Sequence, residues 1–313
     1  MTITNIPSPE DNPFSRIKVR HIFGWLLLFI IAIAFQLAII SNIQGIKFYN
    51  REPFVNELVA IYVLIMSLSL FWRECRLAGI EIKYLIGKVP DRYQWLPLVR
   101  LAIASVFFSI GVFRIFYYPL SFIVPSFVEQ ILTEKRNSSI LIAALKSFSP
   151  ALYYLQVALA NYVINPVFMA FLVISIPLHR GAAKWGNITA IIAMCLLWGT
   201  VAYKTFITMI VVLLIYAILY VKSRSLLVII IFTILQNISF TVWNLSYKIF
   251  WNNQTGSTLE IFRSQIQLGV LFFALSAPWV IGFIYKNWSV LKGPLPYFAN
   301  AAEAEKIKAD SET

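Results

Sequence analysis

Residues 187–221 read NITAIIAMCLLWGTVAYKTFITMIVVLLIYAILYV, interrupted only by Tyr203-Lys204-Thr205. A single helix through the stretch is roughly 50 Å long, against a hydrocarbon core of about 30 Å. One crossing cannot hold it. The expected solution is a tight hairpin at Lys204, with two spans that run out and return. A re-entrant pair is the rival, and the count matters because losing one crossing inverts the side of every later loop.

The neighbouring runs have the same character. Residues 22–40 are broken only by Gln36, and similar runs occupy 54–72, 95–116, 151–178, 187–203, 206–221, 226–243 and 268–285. Lipid offers no partner to a free N–H or C=O, so each run must be a helix. The expected fold is all-α, a polytopic transmembrane bundle of about eight spans. Composition agrees, with 59% hydrophobic residues, 13% charged and a mean hydropathy of +0.76. A soluble domain carries charge on about a quarter of its positions. The first run is long for a signal peptide and has no small-x-small cleavage pattern after it, so it reads as a retained span.

A net charge of +12 raises nucleic acid as a partner, and its distribution excludes it. Under eight spans, sixteen lysines and arginines fall on the side of the N-terminus and eight on the other, with Arg100 and Arg114 inside spans. That is the positive-inside pattern, and it places both termini in the cytoplasm. Glu57, Arg100 and Arg114 lie near span ends, where long side chains reach the interface.

The chain divides into a cytoplasmic segment 1–21, three accessory spans with their loops in 22–149, a four-span core in 150–243, an external loop and last span in 244–285, and a cytoplasmic tail in 286–313. The first 15 residues read as a disordered lead. Apolar pieces at 121–132 and 140–148 are too short to span and read as interfacial. Pro166 is expected to kink the fourth span.

The core is poor in reactive groups. From Lys135 to Leu259 there is no Asp or Glu, and the only histidines of the chain are His21 and His179. Water activation needs a carboxylate, and zinc needs His or carboxylate ligands, so no metal or cofactor is expected. Cys195 has no histidine partner on its own helix. His179 and Arg180 read as headgroup contacts. The remaining polar groups are Asn161 and Asn165, one turn apart on one face, and Thr233, Gln236 and Asn237 on a later span. They serve either as interhelical hydrogen bonds or as the lining of a cavity that holds a client helix or peptide.

Residues 165–237 also carry a sequence of features in order. A helix opens Asn165-Pro-Val-Phe-Met-Ala-Phe-Leu, and a basic turn follows at residues 178–186, LHRGAAKWG. Next come Cys195-Leu-Leu-Trp-Gly, a hairpin helix ending Tyr220-Val-Lys-Ser-Arg-Ser-Leu, and a helix closing on Gln236-Asn237. This stretch resembles the core of the CPBP family (CAAX proteases and bacteriocin-processing enzymes, or Abi), in its bacterial form. The resemblance implies a CPBP-like core in spans four to seven, in a bacterial plasma membrane. The family's motifs are Glu-Glu-x-x-x-Arg, Phe-x-x-x-His and His-x-x-x-Asn/Asp. Laid on this chain they put the two glutamates at Met169 and Ala170, the arginine at Ile174, the second-motif His at Ala202, and the third motif at Thr233 and Asn237. Only Asn237 keeps the family's residue type. The resemblance therefore implies a non-catalytic pseudoprotease that binds or scaffolds membrane proteins, with lipids and a transmembrane client as partners. An active CAAX-type endopeptidase is the alternative, and a transporter the third reading. The emptied positions are expected to converge around Asn237 as an apolar pocket.

Overall fold

The computed structural model describes residues 12–44, 53–137, 149–251 and 257–312. Regular structure among these residues is entirely helical. The α-helices are α1 (Val19–Gln44), α2 (Pro53–Leu77), α3 (Ile82–Ile86), α4 (Trp95–Ile123), α5 (Pro125–Asn137), α6 (Pro150–Trp185), α7 (Asn187–Val201), α8 (Phe206–Ser223), α9 (Leu226–Trp251), α10 (Thr258–Ser264), α11 (Ile266–Asn287) and α12 (Pro296–Glu312). Seven of them, α1, α2, α4, α6, α8, α9 and α11, are long and apolar enough to cross a bilayer. The chain is a polytopic helical membrane protein.

The eighth apolar helix is short. α7 has 15 residues, about 22 Å of rise. It packs antiparallel to α8 through a single 3-10 turn at Tyr203–Thr205. The apex of this hairpin lies at the far end of α4, where the Tyr117 hydroxyl donates to the Lys204 carbonyl at 2.9 Å.

Hydrogen bonds between loops fix which connections share an end. Asn300 donates to the carbonyls of both Tyr84 and Arg224, Lys222 donates to Asn287, and Tyr220 donates to the Leu85 carbonyl. Asn12 donates to the His179 carbonyl. The segments before α1, after α2, after α6, after α8 and after α11 therefore meet at one basic end. Arg263 reaches Ser121, and Arg114 reaches Gln265, nearer the opposite end. Asn187 donates to the Gly293 carbonyl, so both ends of the α7–α8 hairpin lie at the basic end and its apex at Lys204 lies away from it.

α4 and α11 pack along much of their length. Two glycines let them approach. A Cβ on Gly111 would lie 2.7 Å from the Phe273 nitrogen, and one on Gly269 would lie 2.6 Å from the Arg114 Cβ. Small residues let backbones approach where no hydrophobic effect drives association within lipid.

Several expectations change. The basic turn at 178–186 is not a turn, because α6 stays helical to Trp185 and only Gly186, at φ 79°, reverses the chain. Residues 121–132 do not form one interfacial piece, since 121–123 complete α4 and α5 begins at Pro125. The lead is ordered from Asn12 onward, with Phe14 fully buried in a 3-10 turn capped by the Asn12 side chain. The apolar piece at 140–148 lies outside the described residues.

Candidate functional site

The core suspected of holding a site is built around α6, and Pro166 shapes it. Proline has no N–H, so one carbonyl a turn earlier has no backbone donor. Residues Ala160–Ile164 widen into a π turn, in which the Asn165 N–H reaches the carbonyl of Ala160, five residues back. In that register the next donor belongs to Pro166 and the next acceptor is the Asn161 carbonyl. A side chain supplies the missing donor, because Asn237 Nδ2 on α9 donates to the Asn161 carbonyl at 2.6 Å. The Tyr162 hydroxyl donates to Thr241 Oγ1 at 2.9 Å beside it. A second widened stretch, Met169–Ser175, packs against α9.

The residue before Asn237, Gln236, ties three helices together. Tyr216 on α8 donates to its Oε1, and its Nε2 donates to Ser105 Oγ on α4 at 2.6 Å. The Ser105 hydroxyl in turn donates a hydrogen bond to the Ala102 carbonyl at 2.7 Å. Each member both completes and constrains the next.

The positions to which the resemblance assigns catalysis fall in two places. Ala170 and Ile174 are fully buried, Thr233 is nearly so, and Met169 packs at the edge of the same apolar core. The Thr233 hydroxyl donates to the Ile229 carbonyl of its own helix. Ala202 does not join them. It caps α7 at the hairpin, whereas Gln236 meets Tyr216, which lies ten residues or about 15 Å down α8 from that end. Thr233 is a further turn away. Asn161 and Asn165 are half-buried on α6, and Asn237 is the one of the candidate polar residues that bridges directly to it. Among the described residues, no three His, Cys, Asp or Glu side chains come together.

Two polar centres escaped the sequence reading. Arg114 does not reach for the interface. It is buried between α4 and α11, where Nη2 donates to Gln265 Oε1 at 2.8 Å and the guanidinium faces the rings of Tyr247 and Phe262. Tyr247 donates to the same Oε1 at 2.7 Å. An arginine inside an apolar run was the available signal.

His179 is likewise no headgroup contact, being fully buried at the basic end. Its Nδ1 donates to the Ser175 carbonyl at 2.7 Å, and its Nε2 accepts the Tyr297 N–H at 3.2 Å. A carbonyl on one nitrogen and an N–H on the other select a single neutral tautomer. Phe14 stacks on the ring at 4.7 Å, with Tyr220, Tyr297 and Phe298 edge-on. Arg180 beside it donates to the Ile17 carbonyl. Both ring nitrogens are engaged by the protein's own backbone. The cluster is a clasp.

Comparison of the chain with protein-family models, with curated proteins and with solved structures gives no match in any of the three.

Proposed function

We propose that this chain works by binding within the bilayer, as a non-catalytic scaffold for other membrane proteins, and that it is a degenerate relative of the CPBP endopeptidases. The observation that carries the non-catalytic part is the packing at Ala170 and Ile174. Both side chains have no exposed surface and sit in a continuous apolar cluster with Leu172, Val173, Leu213 and Phe232. Peptide hydrolysis requires a water and a scissile carbonyl beside an activating carboxylate. This part of the core has neither the acid nor the room. The CPBP lineage is supported by the meeting of the α6 and α9 positions, while Ala202 stands apart from them. In this reading α7 is the eighth crossing, the basic end faces the cytoplasm, and the membrane is a bacterial plasma membrane.

The scaffold reading is tested by photo-crosslinking in native membranes from the lipid-facing residues Leu155 and Val163 of α6 and Phe240 and Val242 of α9, all exposed. The expected result is a discrete transmembrane adduct at some of these positions and not others. Lipid adducts alone at every position would remove the client. Turnover of a prenylated CAAX peptide by the purified protein would remove the non-catalytic claim.

A further inference from the structure

α4 and α11 touch at Gly111 and Gly269. Toward the basic end, residues of both helices line a groove with two chemically different halves. The inner half is a cavity of about 450 Å³ lined by Ile103, Phe107, Leu275 and Trp279, with almost no polar surface. The half at the basic end is a cavity of about 620 Å³ that carries Arg100, Lys222 and Lys286 and no carboxylate. Arg100 and Trp279 line both, so the two halves are one groove.

The residues follow from helical spacing. Pro97, Arg100, Ala104 and Phe107 repeat every three or four positions along α4, and Lys286, Gly282, Trp279 and Leu275 do the same along antiparallel α11. From Pro97 to Phe107 the groove runs about 15 Å into the bilayer. Lys222 is held in place from the side by its 2.8 Å hydrogen bond to Asn287 Oδ1. Trp279 is well exposed, where an indole suits the boundary between headgroups and chains.

We propose that this groove is a binding site for one anionic phospholipid, with the phosphate among Arg100, Lys222 and Lys286 and an acyl chain along Phe107, Leu275 and Trp279. Charge complementarity selects the occupant. Three cations line one cavity that no carboxylate lines, near the ends of α4, α8 and α11, and Arg and Lys bind phosphate by charge-assisted hydrogen bonds. The apolar half favours an occupant that carries an acyl chain along with its charge, since a purely polar anion would fill the basic half alone. The site does not depend on the scaffold reading, because it lies between α4 and α11 and uses none of the α6 residues.

Gly282 provides a test that leaves the charges alone. It lines the basic half, and a Cβ there meets no atom within 4 Å. Gly282→Leu therefore fills the groove without colliding with the fold. The full-length protein is purified in a neutral detergent and titrated with phosphatidylglycerol or phosphatidylcholine of identical chains, and bound lipid is counted by native mass spectrometry. The expected result is one phosphatidylglycerol retained in preference to phosphatidylcholine. Arg100→Gln with Lys286→Gln should lower that preference about 30-fold, at about 1 kcal/mol per surface cation. Gly282→Leu should lower retention of phosphatidylglycerol with all three cations in place. Glycerol phosphate, which has the charge and no chains, should fail to displace the lipid at equal concentration. Equal retention of the two lipids by the unaltered protein, an unchanged preference in the charge variant, no loss of lipid in Gly282→Leu, or displacement by glycerol phosphate would each overturn the proposal. Monodisperse elution of each variant establishes that it is folded.

Discussion

Replacing Asn237 with leucine keeps the branched outline of the side chain and removes the donor to the Asn161 carbonyl. That carbonyl is short of a donor because residue 166 is proline. An unsatisfied buried acceptor costs about 1–3 kcal/mol in proteins generally. Hydrogen bonds between membrane helices average about 0.6 kcal/mol and reach about 1.7. The Asn161 carbonyl belongs near the top of that second range, because no backbone N–H can replace Asn237, and the expected cost is about 1.5 kcal/mol. Pro166→Ala restores a backbone donor. In a π register its N–H meets Asn161 directly, and in an α register the Asn165 N–H does. In the alanine background Asn237→Leu should cost only about 0.5 kcal/mol, a coupling of about 1 kcal/mol or about fivefold in the folded ratio. Reversible unfolding in mixed micelles, titrated with a denaturing detergent, measures all four corners of the cycle. Equal costs for Asn237→Leu in the two backgrounds would refute the claim that Asn237 serves the proline's carbonyl.

Three further outcomes are expected. Ala170→Glu places a lone carboxylate in a fully buried site, so unfolding in the same micelles should show a loss of about 3 kcal/mol or more, and peptidase activity should not appear. Gly111→Ala drives a methyl into the Phe273 backbone and should cost about 1–3 kcal/mol, whereas Gly282→Ala meets nothing and should be neutral or slightly stabilising, both read from unfolding midpoints. At the head of α10, the backbone N–H and hydroxyl of Ser257 hold the Glu260 carboxyl below its ordinary range. A depressed folded value gives a cap that is complete above the unfolded value of about 4.3 and is lost as pH falls through the folded one. Hydrogen exchange at 258–264, corrected for intrinsic rates, should rise on acidification in the native sequence and stay flat in Glu260→Gln.

Spans were legible because their signal is local. Apolar length alone marks each helix, and Lys204 marks the hairpin by being the sole charge in a run too long for one crossing. The stretch 178–186 misled because Gly181 and Arg180 look like loop residues. Gly181 instead lets α7 approach, since a Cβ there would lie 2.9 Å from that of Ala190, and Gly186 alone makes the turn. The widened turns of α6 could be foreseen only as a kink at Pro166, because the donor that stabilises them lies 76 residues away. Arg114 and Gln265 are 151 positions apart, and the partners of His179 are 118 and 167 away. No helical period reports on contacts of that separation. The direction in which a polar side chain faces within a span was therefore hidden, although its presence there was plain.

The clasp around His179 sets an order of assembly. Its ring is stacked by Phe14, near the start of the chain, and hydrogen-bonded by Tyr297, beyond the last crossing. A chain that threads into the membrane from its N-terminus exposes Phe14 and Ile17 first, yet their final neighbours are synthesised last. At about 5–20 residues per second, the intervening chain takes on the order of tens of seconds to make. Through that interval the N-terminal segment has only part of its binding surface. Closure of the clasp thus requires the segments before α1 and after α11 to lie on the same side of the bundle, which only an even number of intervening traverses allows.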